Sequence, residues 1–305
     1  MDGTDRIAHL RGLEAHLRAR IRGQDHLLPR LAAAFCRGAL RLTDPQRPLA
    51  SLLLVGPTGT GKSEAFALAT AQVFGPDRLA TFDLSEYQDA SAVNKLLGEN
   101  RSDPGLLGRV LERHPTGGLL FDEIEKAHSL VLDLFLQVLW RGCVTVATGR
   151  TFTFGGHVLG FTSNVGAAET MRMDHSRFAS VEQATLRRVG QTLRPEFVAR
   201  LDEQLVFARL GPDVQREICA LEVRRETERL RGLGYDLDLS REALEFLVRE
   251  GFHPQLGARP LRKTVERQLQ NAVMRQLFSH GTVAGCLVID QSVGCLVVSG
   301  MTRDT

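Results

Sequence analysis

Short apolar runs punctuate the first two thirds of the chain, at Leu52–Val55, Ala80–Leu84, Gly118–Phe121, Val158–Phe161 and Gln204–Phe207. Segments with helical spacing separate most of them, at Glu64–Val73, Ser91–Leu97 and Leu106–Arg113. Runs too short for a helix and apolar throughout predict strands buried on both faces, and their alternation with helices predicts a parallel sheet covered on both sides. Near Leu210–Pro212 the pattern changes. Helical spacing continues at Asp213–Arg231, Ser240–Arg249 and Pro260–Phe278, and two short strands follow around Cys286–Asp290 and Gly294–Val298. The expected architecture is a large α/β domain over residues 1–208 and a smaller, mainly helical domain over 209–305 that ends in a short β-hairpin. With 305 residues, 43% of them hydrophobic, the chain can bury a core in each. No internal repeat or low-complexity tract interrupts the pattern.

The first chemistry falls at the end of the first apolar run. Gly56-Pro57-Thr58-Gly59-Thr60-Gly61-Lys62-Ser63 fits GxxxxGK[ST], with a strand before it and a helix after it. Glycines there let backbone N–H groups turn inward around phosphate oxygens at the positive end of the following helix. All eight residues are candidates to hold ATP. Lys62 would lie against the β- and γ-phosphates, and the Ser63 hydroxyl would join the shell of a Mg²⁺ ion. An ordinary glycine turn would not require the strand, loop and helix in this order.

A second motif closes the third apolar run. Gly117-Gly118-Leu119-Leu120-Phe121-Asp122-Glu123 is a buried strand that ends in two adjacent carboxylates, about 60 residues beyond the phosphate loop. Two acids at a strand end are unfavourable unless something needs their charge. A metal-bound nucleotide supplies that need. Asp122 would hold Mg²⁺, and Glu123 would polarise the attacking water as the catalytic base. Taken without the phosphate loop, the pair would also suit the N-terminus of a helix over Ile124–His128.

Composition then removes several function classes. Net charge is +2, with lysine only at positions 62, 95, 126 and 263 and arginine supplying the rest of the basic residues. The arginines are scattered among 36 acidic residues, which favours compositional bias over a nucleic-acid or membrane-binding face. Cys36, Cys143, Cys219, Cys286 and Cys295 are odd in number and lack CxxC spacing, as expected of reduced thiols in a cytoplasmic protein. No signal-peptide core and no membrane-length apolar run is present. The nine histidines are dispersed and form no HExxH, and no Ser-His-Asp or Cys-His arrangement suggests a protease.

Several stretches resemble the second ATPase ring of Clp/ClpB-type AAA+ machines. Phe121-Asp-Glu-Ile-Glu-Lys-Ala-His128, followed by Leu136-Gln-Val-Leu139, is similar to their Walker B region. Thr162-Ser163-Asn164-Val165-Gly166 resembles sensor 1, Arg194-Pro-Glu-Phe-Val-Ala-Arg200-Leu-Asp-Glu203 the arginine-finger segment, and Gly257-Ala258-Arg259-Pro260-Leu261-Arg262 sensor 2. Leu13-Glu14 and Arg20-Ile21-Arg22-Gly23-Gln24 resemble the opening segment that packs on the adenine, which makes Ile21 a nucleotide-contact candidate. The likeness runs from about residue 10 to residue 300, in family order.

The resemblance implies an AAA+ fold and adds three catalytic candidates to Glu123. Asn164 would orient the attacking water or the γ-phosphate; on local grounds it could equally be a turn residue before Gly166. Arg200 would stabilise transition-state charge on a neighbouring subunit's nucleotide, although a surface ion pair with Asp202 or Glu203 fits the local sequence as well. Arg259 would sense the γ-phosphate from the small domain. Arg262 and Lys263 read as solvated. A finger acting on a neighbour implies a ring of identical chains, a homohexamer in this family.

Departures from the family bear on what such a ring would do. The first pore loop of Clp/ClpB proteins carries a glycine-aromatic-hydrophobic-glycine grip. The matching stretch here, Leu97–Gly108, is about five residues shorter, and no Phe, Tyr or Trp lies between Tyr87 and Phe121. Only Leu106 and Leu107 could give an apolar grip there, and they read as the core face of the next helix. A second loop, Trp140–Gly149, lacks the usual Asp-Gly tip. The chain opens almost directly on the second-ring module, without the larger N-terminal region or first ring of the family. Docking to a Clp peptidase is not expected, because the nearest suitable tripeptide, Leu159-Gly160-Phe161, falls inside a predicted strand. Three readings stand: an ATPase that remodels a protein partner, directly or through an adaptor; a nucleic-acid-acting AAA+ ring such as a loader or transposition regulator; and an ATP-gated scaffold. The likeness to ClpB outside the pore places the first ahead.

Overall fold

The computed structural model describes residues 3–172, 178–280, 284–290 and 294–299. It divides into two compact units, residues 1–57 with 61–209 and residues 58–60 with 210–305. In chain order the first unit holds helices α1 (Gly3–Arg11), α2 (Leu13–Arg18) and α3 (Leu28–Ala39), strand β1 (Ala50–Val55), α4 (Lys62–Phe74), β2 (Leu79–Asp83), α5 (Ala92–Leu97), α6 (Gly105–Arg113) and β3 (Gly117–Asp122). It continues with α7 (Ser129–Arg141), β4 (Cys143–Thr145), β5 (Thr151–Thr153), β6 (His157–Ser163), α8 (Ala167–Arg172), α9 (Phe178–Thr192), α10 (Pro195–Val198) and β7 (Glu203–Val206).

Among the described residues the central sheet has five strands in the order β2-β3-β6-β1-β7, every neighbouring pair parallel. Its strands are the five that the apolar runs predict, each continuing one or two residues past at least one end of its run. Successive residues of a strand point to opposite faces, so each strand feeds two cores. Leu52, Leu54, Leu120 and Val158 pack on one side with Phe35 and Phe66. Leu53, Val55, Leu119, Phe121, Leu159 and Phe161 pack on the other with Phe82, Phe135 and Phe197. Coverage of both faces explains why these runs are apolar throughout rather than alternating.

The second core is built on aromatic rings. Phe161 is fully buried, with ring centroids 5.3 Å from Phe121, 5.1 Å from Phe135 and 5.0 Å from Phe197. Truncating it removes all three contacts and leaves a cavity between sheet and helix. Phe161→Ala is expected to lower the unfolding free energy by ~3–5 kcal/mol. Urea denaturation followed by circular dichroism checks this, and a loss below ~1 kcal/mol would show that the cluster collapses around the gap.

The second unit holds α11 (Pro212–Arg231), β8 (Asp236–Leu239), α12 (Arg241–Gly251), α13 (Leu261–His280), β9 (Ala284–Asp290) and β10 (Cys295–Ser299). Its helices match the predicted ones within two residues, and β9 and β10 form the predicted antiparallel hairpin. Strand β8 had not been foreseen; it pairs parallel with β9 and completes a sheet of order β10-β9-β8. Asp236 and Asp238 alternate with Leu237, which is buried in the core, and Leu239, which packs against it half-buried. Four residues with two acids give too weak a strand signal to stand out beside the helices. Val223, Phe246, Leu247, Leu261, Val265, Leu269 and Leu296 form the unit's own core. Cys219 lies fully buried within it, and burial pushes its thiol up to about 12, as suits an inert reduced cysteine. No described helix is long and apolar enough to cross a membrane.

Candidate functional site

Parallel strands deliver their C-terminal ends to one edge of the sheet, and the charged residues of both motifs collect there. β1 runs into the glycine loop, and Gly56 N–H donates to the Ser163 carbonyl at 3.2 Å, so the loop begins beside the end of β6. Gly56, Gly59 and Gly61 have φ of 145°, 72° and 95°, in the region that favours glycine. A Cβ placed on Gly61 would meet nothing nearer than Ile21 Cδ1, at 3.9 Å. The loop thus borders open space at Gly61, with Ile21, the residue expected to pack on the base, as its nearest neighbour there. α4 starts at Lys62 after Gly61, which supplies no side-chain cap, and that end of the helix suits an anion.

Lys62 is 8% exposed, and its ammonium donates to the Gly56 carbonyl at 2.7 Å, the Pro57 carbonyl at 2.9 Å and Asn164 Oδ1 at 3.0 Å. Loss of water lowers its pKa to about 8, against the opposing pull of Glu125, Asp122 and Glu123. Phosphate oxygens at this position would favour the charged form again. Ser63 Oγ donates to Asp122 Oδ1 at 3.0 Å. These two hard oxygen ligands, in a site with few protein donors, suit Mg²⁺ completed by water and phosphate rather than an all-protein metal cage. Bound there, the ion would neutralise charge on the β- and γ-phosphates.

The second half of the site depends on the order β3-β6. Register pairs Phe121 with Phe161, which sets Asp122 and Glu123 next to Thr162 and Asn164. Thr162 Oγ1 donates to Asp122 Oδ1 at 2.9 Å and accepts from Glu123 N–H at 3.1 Å. Asn164 Nδ2 donates to Glu123 Oε1 at 3.0 Å, while its backbone N–H donates to Glu125 Oε1 at 3.0 Å. Glu123 has φ 59°, a left-handed conformation that costs a non-glycine residue ~1–3 kcal/mol and is typical of functional sites. One continuous polar chain thus runs from Lys62 through Asn164 to Glu123. The adjacent carboxylates do not cap a helix, since Glu123 makes no side-chain capping bond to the short turn Ile124–Lys126. Asn164 does accept the turn bond from Ala167 N–H, but with its backbone carbonyl, which leaves the side chain to the site.

Sequence reasoning had singled out neither Thr162 nor Glu125. Both stand inside quoted motifs, but only the strand order reveals what they touch. Gln24 is a further addition: fully buried, it donates through Nε2 to the Ala208 carbonyl at 3.0 Å and accepts from Ala208 N–H at 2.9 Å. This pair ties the segment carrying Ile21 to the chain just past β7.

Arg200 lies elsewhere. Its carbonyl accepts from Ser51 Oγ at 3.4 Å, and Asp202 N–H donates to the Ser51 carbonyl at 2.9 Å. Ser51 precedes Gly56 by five residues of strand, about 16 Å at the rise of a parallel strand. Arg200 therefore sits toward the N-terminal edge of the sheet, away from its own chain's phosphate loop, with its exposed guanidinium donating to the Leu136 carbonyl at 2.6 Å. The surface ion pair that the local sequence allowed is not formed: Asp202 accepts from Ser51, and Glu203 pairs with Arg30 and Arg37. Arg259 is exposed on the turn before α13. Arg262 pairs with Glu266 on the surface of that helix, as a solvated residue does.

The stretch matching the first pore loop is a closed turn. Asp103 accepts from Glu99 N–H at 3.3 Å, Gly105 N–H at 2.9 Å and Arg109 at 3.0 Å, and Ser102 N–H donates to Asn100 Oδ1 at 2.9 Å. Gly98, with φ 93°, passes so close to the Asp103 carbonyl that any Cβ would collide with it. Leu107 is buried as expected, but Leu106 is 40% exposed and does not belong to the core face. Consecutive residues of α6 are about 100° apart, so the stripe that packs through Leu107, Gly108 and Leu111 leaves Leu106 outside. The second predicted loop is mostly the β4–β5 hairpin, held to the end of α5 by Ala147 N–H donating to the Leu97 carbonyl at 2.8 Å. Leu159-Gly160-Phe161 lies buried in β6.

Residues 47–204 match the family described as the AAA domain (Cdc48 subfamily), and residues 210–289 match the C-terminal, D2-small domain of ClpB protein. Similar proteins include "Chaperone protein ClpB 1" of Synechococcus elongatus, 36% identical over 284 residues that make up 89% of this chain and 32% of that one. "Chaperone protein ClpB 2" of Nostoc sp. is 38% identical over 281 residues, 88% of this chain and 32% of its own. "Chaperone protein ClpB" of Oceanobacillus iheyensis is 34% identical over 294 residues, 90% and 36%. The chain thus spans about a third of the length of the curated relatives it matches. A glycine loop between strand and helix, paired acids at the end of β3 with only β6 between it and β1, and matches to both the AAA and the D2-small families lead to one conclusion: the chain belongs to the AAA+ family, as a Clp/ClpB-type second module.

Proposed function

We propose that this chain binds ATP with Mg²⁺ and hydrolyses it to remodel a protein partner. The observation that carries the reading is the hydrogen-bonded chain Lys62–Asn164–Glu123 beside the Ser63–Asp122 pair. Gly56 to Ser63 cradle the phosphates, and Ile21 packs against the base. Ser63 and Asp122 hold the metal. Glu123 takes a proton from the attacking water, Asn164 positions that water, and Arg259 on the small domain senses the γ-phosphate. The large domain covers residues 1–208 and the small domain residues 209–305. The chain assembles with copies of itself, as a homohexamer in the cytoplasm, and Arg200 serves the neighbouring subunit's nucleotide.

The ring acts on a dedicated partner or adaptor rather than by threading arbitrary chains. Gripping any sequence calls for a large apolar side chain, and residues 99–103 are hydrated groups folded into a turn closed by Asp103. A fluorescent tagged substrate tests this together with ATP binding. The expected result is saturable ATP turnover with no ATP-dependent loss of fluorescence. Unfolding abolished by Leu106→Ala would show that exposed Leu106 grips after all; no ATP binding at millimolar concentration would remove the enzymatic reading itself. Capture of proteins by the Glu123→Gln variant, with and without ATP, then identifies the partner.

A further inference from the structure

We propose that Glu125 is a positioning residue of this site: its carboxylate clamps the backbone N–H of Asn164 and so holds the Asn164 side chain between Lys62 and Glu123. The inference rests on reading the site as a nucleotide hydrolase. Glu125 lies two residues past Glu123, on the short turn Ile124–Lys126. The left-handed backbone at Glu123 redirects the chain after β3, and Glu125 Oε1 accepts from Asn164 N–H at 3.0 Å. From the same Cα, the Asn164 side chain accepts from Lys62 Nζ and donates to Glu123 Oε1, each at 3.0 Å. An amide that must present its oxygen to a cation and its nitrogen to a carboxylate works only in one orientation. Fixing the backbone at its root restricts the swing of the whole side chain.

A second observation separates this from an incidental loop contact. Glu125 Oε2 is buried and has no hydrogen-bond partner among the described residues. An unsatisfied carboxylate oxygen is unfavourable, and a neutral acceptor would have sufficed to hold one N–H. The charge has a counterpart in the buried Lys62 ammonium, whose charged form Glu125 favours together with Asp122 and Glu123. Glu125 thus fastens the Walker B turn to the segment after β6 and places negative charge toward the lysine.

The test compares Glu125→Ala and Glu125→Gln in the full chain. Readouts are hydrogen exchange at the Asn164 amide, affinity for a fluorescent ATP analogue, and kcat against KM. Glu125→Ala should speed Asn164 exchange and lower kcat, each about tenfold or more, the scale of one charge-assisted hydrogen bond, with analogue affinity within about threefold of wild type. Glu125→Gln keeps an oxygen that can accept the N–H but loses the charge toward Lys62, so it should recover Asn164 protection in full and kcat only in part. Unchanged exchange in Glu125→Ala overturns the proposal. So does an equal loss of kcat, affinity and thermal stability in both variants, which would mark a merely structural residue. Should the wild type prove inactive while Asn164 exchange still responds to Glu125→Ala, the clamp stands and the hydrolytic reading fails.

Discussion

Glu123→Gln should bind ATP normally and turn it over ~10²-fold or more slowly, the usual effect of removing a positioned general base. Glutamine keeps the shape and the Oε1 acceptor that meets Asn164 Nδ2 at 3.0 Å, so the polar chain survives while the proton acceptor for water is lost. Lys62→Ala should do the opposite and fail at binding. It removes the buried ammonium that now sits on the Gly56 and Pro57 carbonyls at the mouth of the helix, where phosphate charge would settle. Steady-state ATPase assays alongside titration with a fluorescent nucleotide separate the two. A near-normal rate in Glu123→Gln would sink the assignment of Glu123 as base. Unchanged affinity in Lys62→Ala would move the phosphate site elsewhere.

Arg200→Ala should lower turnover by about 10³-fold, within the range seen for arginine fingers, while nucleotide still binds. The reason is placement: Arg200 lies about 16 Å of strand away from its own phosphate loop, with its carbonyl beside Ser51 and its guanidinium on the Leu136 carbonyl. A residue so placed could meet a nucleotide only if another subunit brought one to it. Mixing Arg200→Ala with Glu123→Gln subunits should then restore activity wherever an intact Arg200 faces an intact Glu123. If verified mixed assemblies never exceed either parent, the trans role is wrong. The exposed bond to Leu136 is a single contact, so thermal stability of Arg200→Ala should fall by no more than ~1 kcal/mol. A larger drop would make Arg200 a structural residue. By the same reasoning Arg259→Ala should act within its own subunit and show no rescue in mixtures.

Much of this molecule was legible before its structure. The five sheet strands could be located because burial on both faces demands an uninterrupted apolar run, and few other elements produce one so short. The glycine loop Gly56–Ser63 could be placed between a strand and a helix because its signal occupies eight consecutive residues. Local elements without an apolar run were harder. The β4–β5 hairpin read as a loop because Cys143–Thr145 and Thr151–Thr153 are three residues each, and β8 was missed for its two aspartates.

What the sequence by itself determined is the inventory of strands, helices and charged residues, since each is encoded within a few neighbouring positions. What only the tertiary structure decided is which of them meet. Thr162 and Asn164 converge on Asp122, Glu123 and Glu125 because β6 lies beside β3, although some 40 residues of chain separate them. Arg200 is removed from the phosphate loop because β7 runs parallel to β1 and starts at the opposite edge. Leu106 leaves the core because packing buries the face of α6 that carries Leu107, Gly108 and Leu111, and Leu106 lies off it. Periodicity reports which face of an element is buried. The partners on that face follow from strand order and register, which long-range packing selects and no local run of residues contains.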